Sequence, residues 1–197
     1  MAHARKMGIL GGTFDPIHMG HLVLAEQVKE KLKLDEIIFI PCFCPPHKTR
    51  RKPSPAKDRF RMTQLALEHN PFFSVSDVEV KRRGISYTVD TLRQLKNLYP
   101  GSNIYFVTGS DALNEICTWK DPEKIYKLAK VVIAIRPGFD ELDPENHFAE
   151  RSKIVEITGM DISSSLIRDR VKRGRSIKYL VPCKVEEYIK RRRLYRR

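Results

Sequence analysis

His18 and His21 stand three residues apart, with Gly20 between them, in the segment Gly11-Gly12-Thr13-Phe14-Asp15-Pro16-Ile17-His18-Met19-Gly20-His21. At helical spacing the two imidazoles share a face. Glycines let a backbone come close to a ligand, and a helix start offers free N–H groups, so this segment suits an anion such as a phosphate. A second segment, Asp161-Ile162-Ser163-Ser164-Ser165, brings hydroxyls to another helix start, and Arg168 adds a planar charge three residues beyond Ser165. Trp119 is the only tryptophan. Asp111 suits a ribose hydroxyl or a helix cap. Asp15 reads as a loop-shaping residue rather than a base. Neither G-x-x-x-x-G-K-[ST] nor G-x-G-x-x-G occurs, so the common ATPase loop and the dinucleotide fingerprint do not apply.

These residues need a frame, and the hydropathy pattern supplies one. Short apolar runs at Met7–Leu10, Glu36–Ile40, Phe73–Val80, Ile104–Val107, Val131–Ile135 and Ile154–Ile157 read as strands. Helical periods run from His21 to Leu32, from Pro55 (capped by Ser54) to about His69, from Thr88 to Leu98, from Ser163 to Arg173 and from Val185 to Arg192. Strands alternating with helices imply a Rossmann-like α/β fold, with a mainly parallel sheet flanked by helices. A small helical segment from about residue 159 closes a single unit spanning 1–197. Ligands of such sheets bind at the carboxyl ends of the strands. That puts Gly11–His21, Pro41–Lys48, Thr108–Asp111, Arg136–Gly138 and Thr158–Ser165 on one rim. The stretch Cys42–Pro55, rich in proline and basic residues, reads as a mobile loop that carries His47 and Lys48.

The chain has 197 residues, 41% hydrophobic and 31% charged, which excludes a mostly disordered protein. No apolar run reaches the ~20 residues of a membrane span, and the start lacks a secretory pattern, so the expected location is cytoplasmic, without membrane contact. The cysteines Cys42, Cys44, Cys117 and Cys183 show no zinc spacing and are expected to stay as thiols. The net charge of +13 is concentrated at the end: Arg168–Arg197 holds 13 basic and 3 acidic residues. A second basic cluster runs from Lys48 to Arg61. Such charge attracts nucleic acid, acidic lipid or phosphorylated small molecules. The tail Lys190–Arg197 reads as a solvated helix end, its cations well placed at a helix C-terminus.

The segment G-G-T-F-D-P-x-H-x-G-H resembles the nucleotidyltransferase superfamily marked by H-x-G-H. Ser86-Tyr87-Thr88-Val89-Asp90-Thr91, Gly109-Ser110-Asp111 followed by Trp119, Arg136-Pro137-Gly138 and Ile162-Ser163-Ser164-Ser165-Leu166-Ile167-Arg168 follow in the order found in bacterial nicotinate-nucleotide adenylyltransferases. The resemblance covers Gly8 to about Tyr195. Ser110 stands where alanine is usual, Ser165 where threonine is usual, and Lys120 where tyrosine or histidine is more familiar.

The resemblance implies transfer of AMP from ATP to nicotinate mononucleotide, by in-line attack and without a covalent intermediate. It makes His18 and His21 the catalytic pair, with His21 on the α-phosphate. It assigns ATP to Gly11, Gly12, Thr13, Phe14, His21, Gly109, Arg136, Ser163, Ser164, Ser165 and Arg168. It assigns nicotinate mononucleotide to His47, Lys48, Thr88, Asp111, Trp119 and Lys120, with Trp119 stacked on the ring. A Mg²⁺ ion is expected to arrive with ATP, held by phosphates and water rather than by a dedicated metal site. No nucleic-acid partner is expected, and association with further copies of the chain stays open. The rival readings are a nicotinamide-preferring enzyme and, in another class, a basic nucleic-acid-binding protein.

Overall fold

The computed structural model describes residues 4–46, 52–110, 115–136 and 147–196. Six strands form one sheet: β1 (Lys6–Gly12), β2 (Glu36–Pro41), β3 (Phe73–Val75), β4 (Asn103–Gly109), β5 (Lys130–Ile135) and β6 (Lys153–Glu156). The order is β3-β2-β1-β4-β5-β6, and every neighbouring pair is parallel. The helices are α1 (Met19–Leu32), α2 (Ala56–Leu67), α3 (Val78–Arg82), α4 (Thr88–Leu98), α5 (Pro122–Leu128), α6 (His147–Glu150), α7 (Ser164–Lys172) and α8 (Cys183–Arg192), with a 3₁₀ turn at Ile116–Thr118. The Rossmann-like parallel sheet expected from the sequence is the one observed.

Strands buried on both faces read as continuous apolar runs because alternate residues serve opposite cores. Leu10, Ile37, Phe39, Tyr105 and Val107 pack on one side, against residues of α1, α2, α7 and α8. Met7, Ile9, Ile38, Ile40, Ile104 and Phe106 pack on the other, against residues of α3, α4 and α5. Gly8 interrupts the β1 alternation because a Cβ there would come within 2.9 Å of Leu34 Cδ1.

Three expectations need correction. The strand expected over Phe73–Val80 stops at Val75, and Val78–Arg82 is helical. Ser76 turns the chain: its N–H reaches Phe39 O, and its hydroxyl accepts from the Val78 N–H at 3.4 Å. Helix α2 begins at Ala56, with Pro55 at the cap position. The Ser54 N–H donates instead to the Asp15 carboxylate at 3.1 Å. The tail is not wholly a solvated helix end. Helix α8 stops at Arg192, the chain turns at Arg193 (φ 53), and Tyr195 is buried. Cys42 is buried and Cys44 exposed, both beyond the end of β2.

Candidate active site

The strand order reverses direction between β1 and β4, and parallel sheets open a crevice at such a point, beyond the carboxyl ends of the strands. The segment after β1 enters this crevice. His18 is the N-cap residue of α1 and His21 its third helical residue. Their ring centroids lie 3.7 Å apart, so the expected shared face is real. The His18 N–H donates to His21 Nδ1 at 3.2 Å. That bond leaves the proton of a neutral His21 on Nε2.

His18 is held down to about 4, first by burial and then by the Arg136 charge. His21 is held well below its ordinary value by burial, then by His18, then by Arg136. Both rings are therefore neutral at pH 7, each with a single ring N–H, while Arg136, just past β5, supplies the formal charge beside them. His18 Nδ1 is buried without a partner among the described residues. Gly20 suits this packing: a Cβ would approach His18 Nδ1 to 3.1 Å and crowd the ring.

The loop before the histidines is fixed from several directions. Phe14 meets His21 edge-on, with ring centroids 5.1 Å apart. Gly12 makes room for it, since a Cβ there would lie 2.9 Å from the Phe14 ring. Arg168 donates to Asp15 O at 2.8 Å, and the Ser164 hydroxyl donates to Pro16 O at 2.8 Å, so α7 is anchored to this loop. Ser163 caps α7 by accepting from the Leu166 N–H, and its hydroxyl lies 2.9 Å from that of Ser165. The first amides of a helix lack partners inside it, so those of Ser164 and Ser165 point outward beside exposed hydroxyls. Ile162 O lies 3.7 Å from a Cβ placed on Gly20, which sets this helix start beside the histidines.

On the other side of Gly11, Gly12 and Thr13 lies a cavity of about 390 Å³. Its walls include Phe106, Thr108, Tyr87, Thr88, Trp119 and Lys120. Trp119 is half-buried and meets Phe106 edge-on at 6.0 Å; its Nε1 is buried without a partner among the described residues. Thr88 is the first residue of α4, so its N–H is one of the unpaired amides of that helix. Lys120 lies over the Tyr87 ring at 4.7 Å and pairs with Asp90 at 2.8 Å.

A family model described as cytidylyltransferase-like matches residues 9–170. A protein of Desulfitobacterium hafniense named probable nicotinate-nucleotide adenylyltransferase is 44% identical over 204 residues, covering 99% of this chain and 98% of its own. A protein of Corynebacterium glutamicum with the same name is 47% identical over 195 residues, covering 97% and 88%. The chain belongs to the nicotinate-nucleotide adenylyltransferases of the cytidylyltransferase-like family. The solved structure of Plasmodium falciparum nicotinic acid mononucleotide adenylyltransferase complexed with NaAD matches with a TM-score of 0.80 at 23% identity over 98% of both chains, which supports the shared fold.

For this adenylyltransferase family member, the structure gathers His18, His21, Arg136 and the Ser163–Arg168 segment on one side of the β1 end. It gathers Thr88, Trp119 and Lys120 on the other. Gly109 ends β4, half-buried, with open space where a Cβ would be. His47, Lys48 and Asp111 lie outside the described residues.

Sequence reasoning missed two buried charges beside the site. Arg59, counted from sequence within a surface-like basic cluster, is 1% exposed. It donates to Ser54 O, Thr13 O and Phe43 O at 2.7–2.9 Å, tying the loop after β1 to the segments on either side of residues 47–51. Its spacing from Met62 and Thr63 on the buried face of α2 was the available signal. Glu79 lines the cavity and accepts from the Thr91 hydroxyl; burial pushes its carboxyl up, against hydrogen bonds from Thr91 and Ser86.

Proposed function

We infer that the chain transfers AMP from ATP to nicotinate mononucleotide, giving nicotinate adenine dinucleotide and pyrophosphate, a step of NAD biosynthesis. One juxtaposition carries the reading: a neutral histidine pair at a helix start shares the Gly11–Thr13 edge with a ring-sized cavity walled by Trp119. The attacking group is a phosphate oxygen of the mononucleotide, already anionic at neutral pH, so no general base is needed. A bond forms from that oxygen to the α-phosphorus of ATP, and the bond to the β-phosphate breaks. The histidines then act by position and electrostatics. His21 Nε2–H donates to the α-phosphate, His18 supports it, and Arg136 balances the growing charge. Ser163, Ser164, Ser165 and Arg168 receive the departing phosphates, while Gly11, Gly12, Thr13, Phe14 and Gly109 shape the ATP side.

On the acceptor side, Trp119 stacks on the cationic nicotinate ring. The backbone N–H groups of Thr88 and Lys120 receive its carboxylate, which only accepts. His47, Lys48 and Asp111 complete this reading as contacts to the mononucleotide phosphate and ribose. No group of three or more His, Cys, Asp or Glu side chains suited to a metal occurs among the described residues. The hydroxyl-and-amide cradle of α7 would hold the ATP phosphates, and a Mg²⁺ ion carried on those phosphates would neutralise the leaving pyrophosphate. No helix among the described residues is long and apolar enough to cross a membrane. We propose a cytoplasmic enzyme, a single unit over 1–197, acting on these nucleotides without nucleic acid.

The test is direct. The protein is incubated with ATP, Mg²⁺ and a panel of phosphorylated acceptors, and pyrophosphate and the dinucleotide are quantified. Equal amounts of both products with nicotinate mononucleotide are expected. Turnover confined to pantetheine or glycerol phosphates would overturn the reading.

A further inference from the structure

Asp15 is the point where three distant parts of the chain meet. Its backbone carbonyl accepts from Arg168 of α7 at 2.8 Å. Its Oδ2 accepts from the Ser54 N–H, at the entry to α2, at 3.1 Å. Its Oδ1 accepts from the Tyr195 hydroxyl at 2.7 Å, across 180 residues of sequence. Asp15 follows Phe14, whose ring lies edge-on against His21. Tyr195 lies past α8 in a run of basic residues whose composition suggests solvent.

The chain end is built to make this contact. After α8, left-handed backbone at Arg193 (φ 53) and Tyr195 (φ 65) turns the chain back toward the sheet, a conformation that non-glycine residues adopt only when the surroundings hold them there. Tyr195 is 6% exposed, whereas Arg193 and Arg196 beside it are exposed. Burial and the neighbouring Asp15 push the Tyr195 hydroxyl up, so it remains a donor at every pH the enzyme meets. From the other side Arg59 holds Ser54 O and Thr13 O, so the same two segments are clamped twice.

We propose that Tyr195 is a positioning residue for adenylyl transfer, its hydroxyl holding Asp15, and through Phe14 the His21 ring, in the geometry the α-phosphate requires. This rests on the adenylyl-transfer reading above. A hydrogen bond to a charged partner is stronger than one between neutral groups, so its loss should show in the rate. Tyr195 is buried and does not line the Trp119 cavity, so affinity for each substrate alone should persist.

The decisive variant is Tyr195→Phe, which keeps the packed ring and removes the bond. We expect kcat to fall about tenfold, Kd for ATP alone to stay within about twofold, and the His21 ring resonances to move in the NMR spectrum. Deleting Arg196 and Arg197 while keeping Tyr195 should leave kcat within about twofold, whereas deletion from Tyr195 onward should match or exceed the Tyr195→Phe loss. Wild-type kcat in Tyr195→Phe, unmoved His21 resonances, or a variant that fails to fold would each overturn the proposal, the last by assigning the hydroxyl to stability alone. A wild-type protein that makes no dinucleotide would instead overturn the adenylyl-transfer reading, and this proposal with it.

Discussion

The loop from Gly11 to His21 holds its shape through hydrogen bonds that arrive from α2, α7 and the chain end, while the neighbouring cavity is walled by Trp119, Phe106 and Tyr87 and by the first turn of α4. The first region has buried polar groups whose bonds fix one arrangement. The second has ring faces, which tolerate small shifts of a flat ligand, and a few backbone donors, which do not tolerate the wrong polar atom. In the proposed reading, catalysis and recognition are separated along the Gly11–Thr13 edge. A displaced histidine should cost rate, and a lost ring should cost acceptor affinity.

The largest expected effect is on the histidine side. His21→Ala should lower kcat by about 10²–10³-fold, the scale for one transition-state donor, with ATP binding much less changed. Steady-state kinetics beside calorimetric ATP titration checks it; near wild-type turnover in a folded variant would reject the role given to His21. On the cavity side, Trp119→Ala should raise KM for the mononucleotide by roughly tenfold, through loss of stacking and cation–π contact, while kcat changes less. A kcat loss as large as that of His21→Ala would erase the distinction between the two regions. Gly20→Ala falls between the two kinds of change, because its Cβ would crowd His18 Nδ1 at 3.1 Å without removing any donor. A loss of about tenfold in kcat is expected, with Trp119 fluorescence quenching by the mononucleotide unaltered.

Much of this was legible in the sequence, for physical reasons. The central strand runs were readable because both faces of the sheet are buried there, so β1, β2, β4 and β5 are mostly apolar. The histidine pair was readable because glycines and a helix start leave a local signature. Val78–Arg82 was misread because valine alternation looks like a strand, and only the Ser76 turn, which depends on Phe39 in a neighbouring strand, reverses it. Arg59 and Tyr195 were hidden for a related reason. Each is a polar group buried by partners far away in sequence, in stretches whose composition suggests solvent. Asp15 was read as loop-shaping, and its bonds to Ser54 and Tyr195 fit that.

The smallest effect concerns pH. His18 titrates near 4 in the folded protein, against an ordinary 6.5 when unfolded. The unfolded chain therefore binds more protons between those values. The stability gained by burying the neutral ring is complete above pH 6.5 and is lost as pH falls toward 4. Glu79, pushed up by burial, acts in the opposite direction, so the comparison must be made against a variant. The urea midpoint of wild type should drop more steeply from pH 6.5 to 4.5 than that of His18→Asn. Parallel curves would show that His18 is not held neutral.

The central claim is that this cavity selects an anionic ring while the histidine loop carries out the transfer. The most direct measurement is kcat/KM for nicotinate mononucleotide and for nicotinamide mononucleotide, each with saturating ATP and Mg²⁺. The amide would set an NH₂ against backbone donors and leave both unpaired, a cost of ~1–3 kcal/mol before the lost charge-assisted bond is added. The expected preference for the acid is at least about 10²-fold. Equal use of the two, or preference for the amide, would contradict the account.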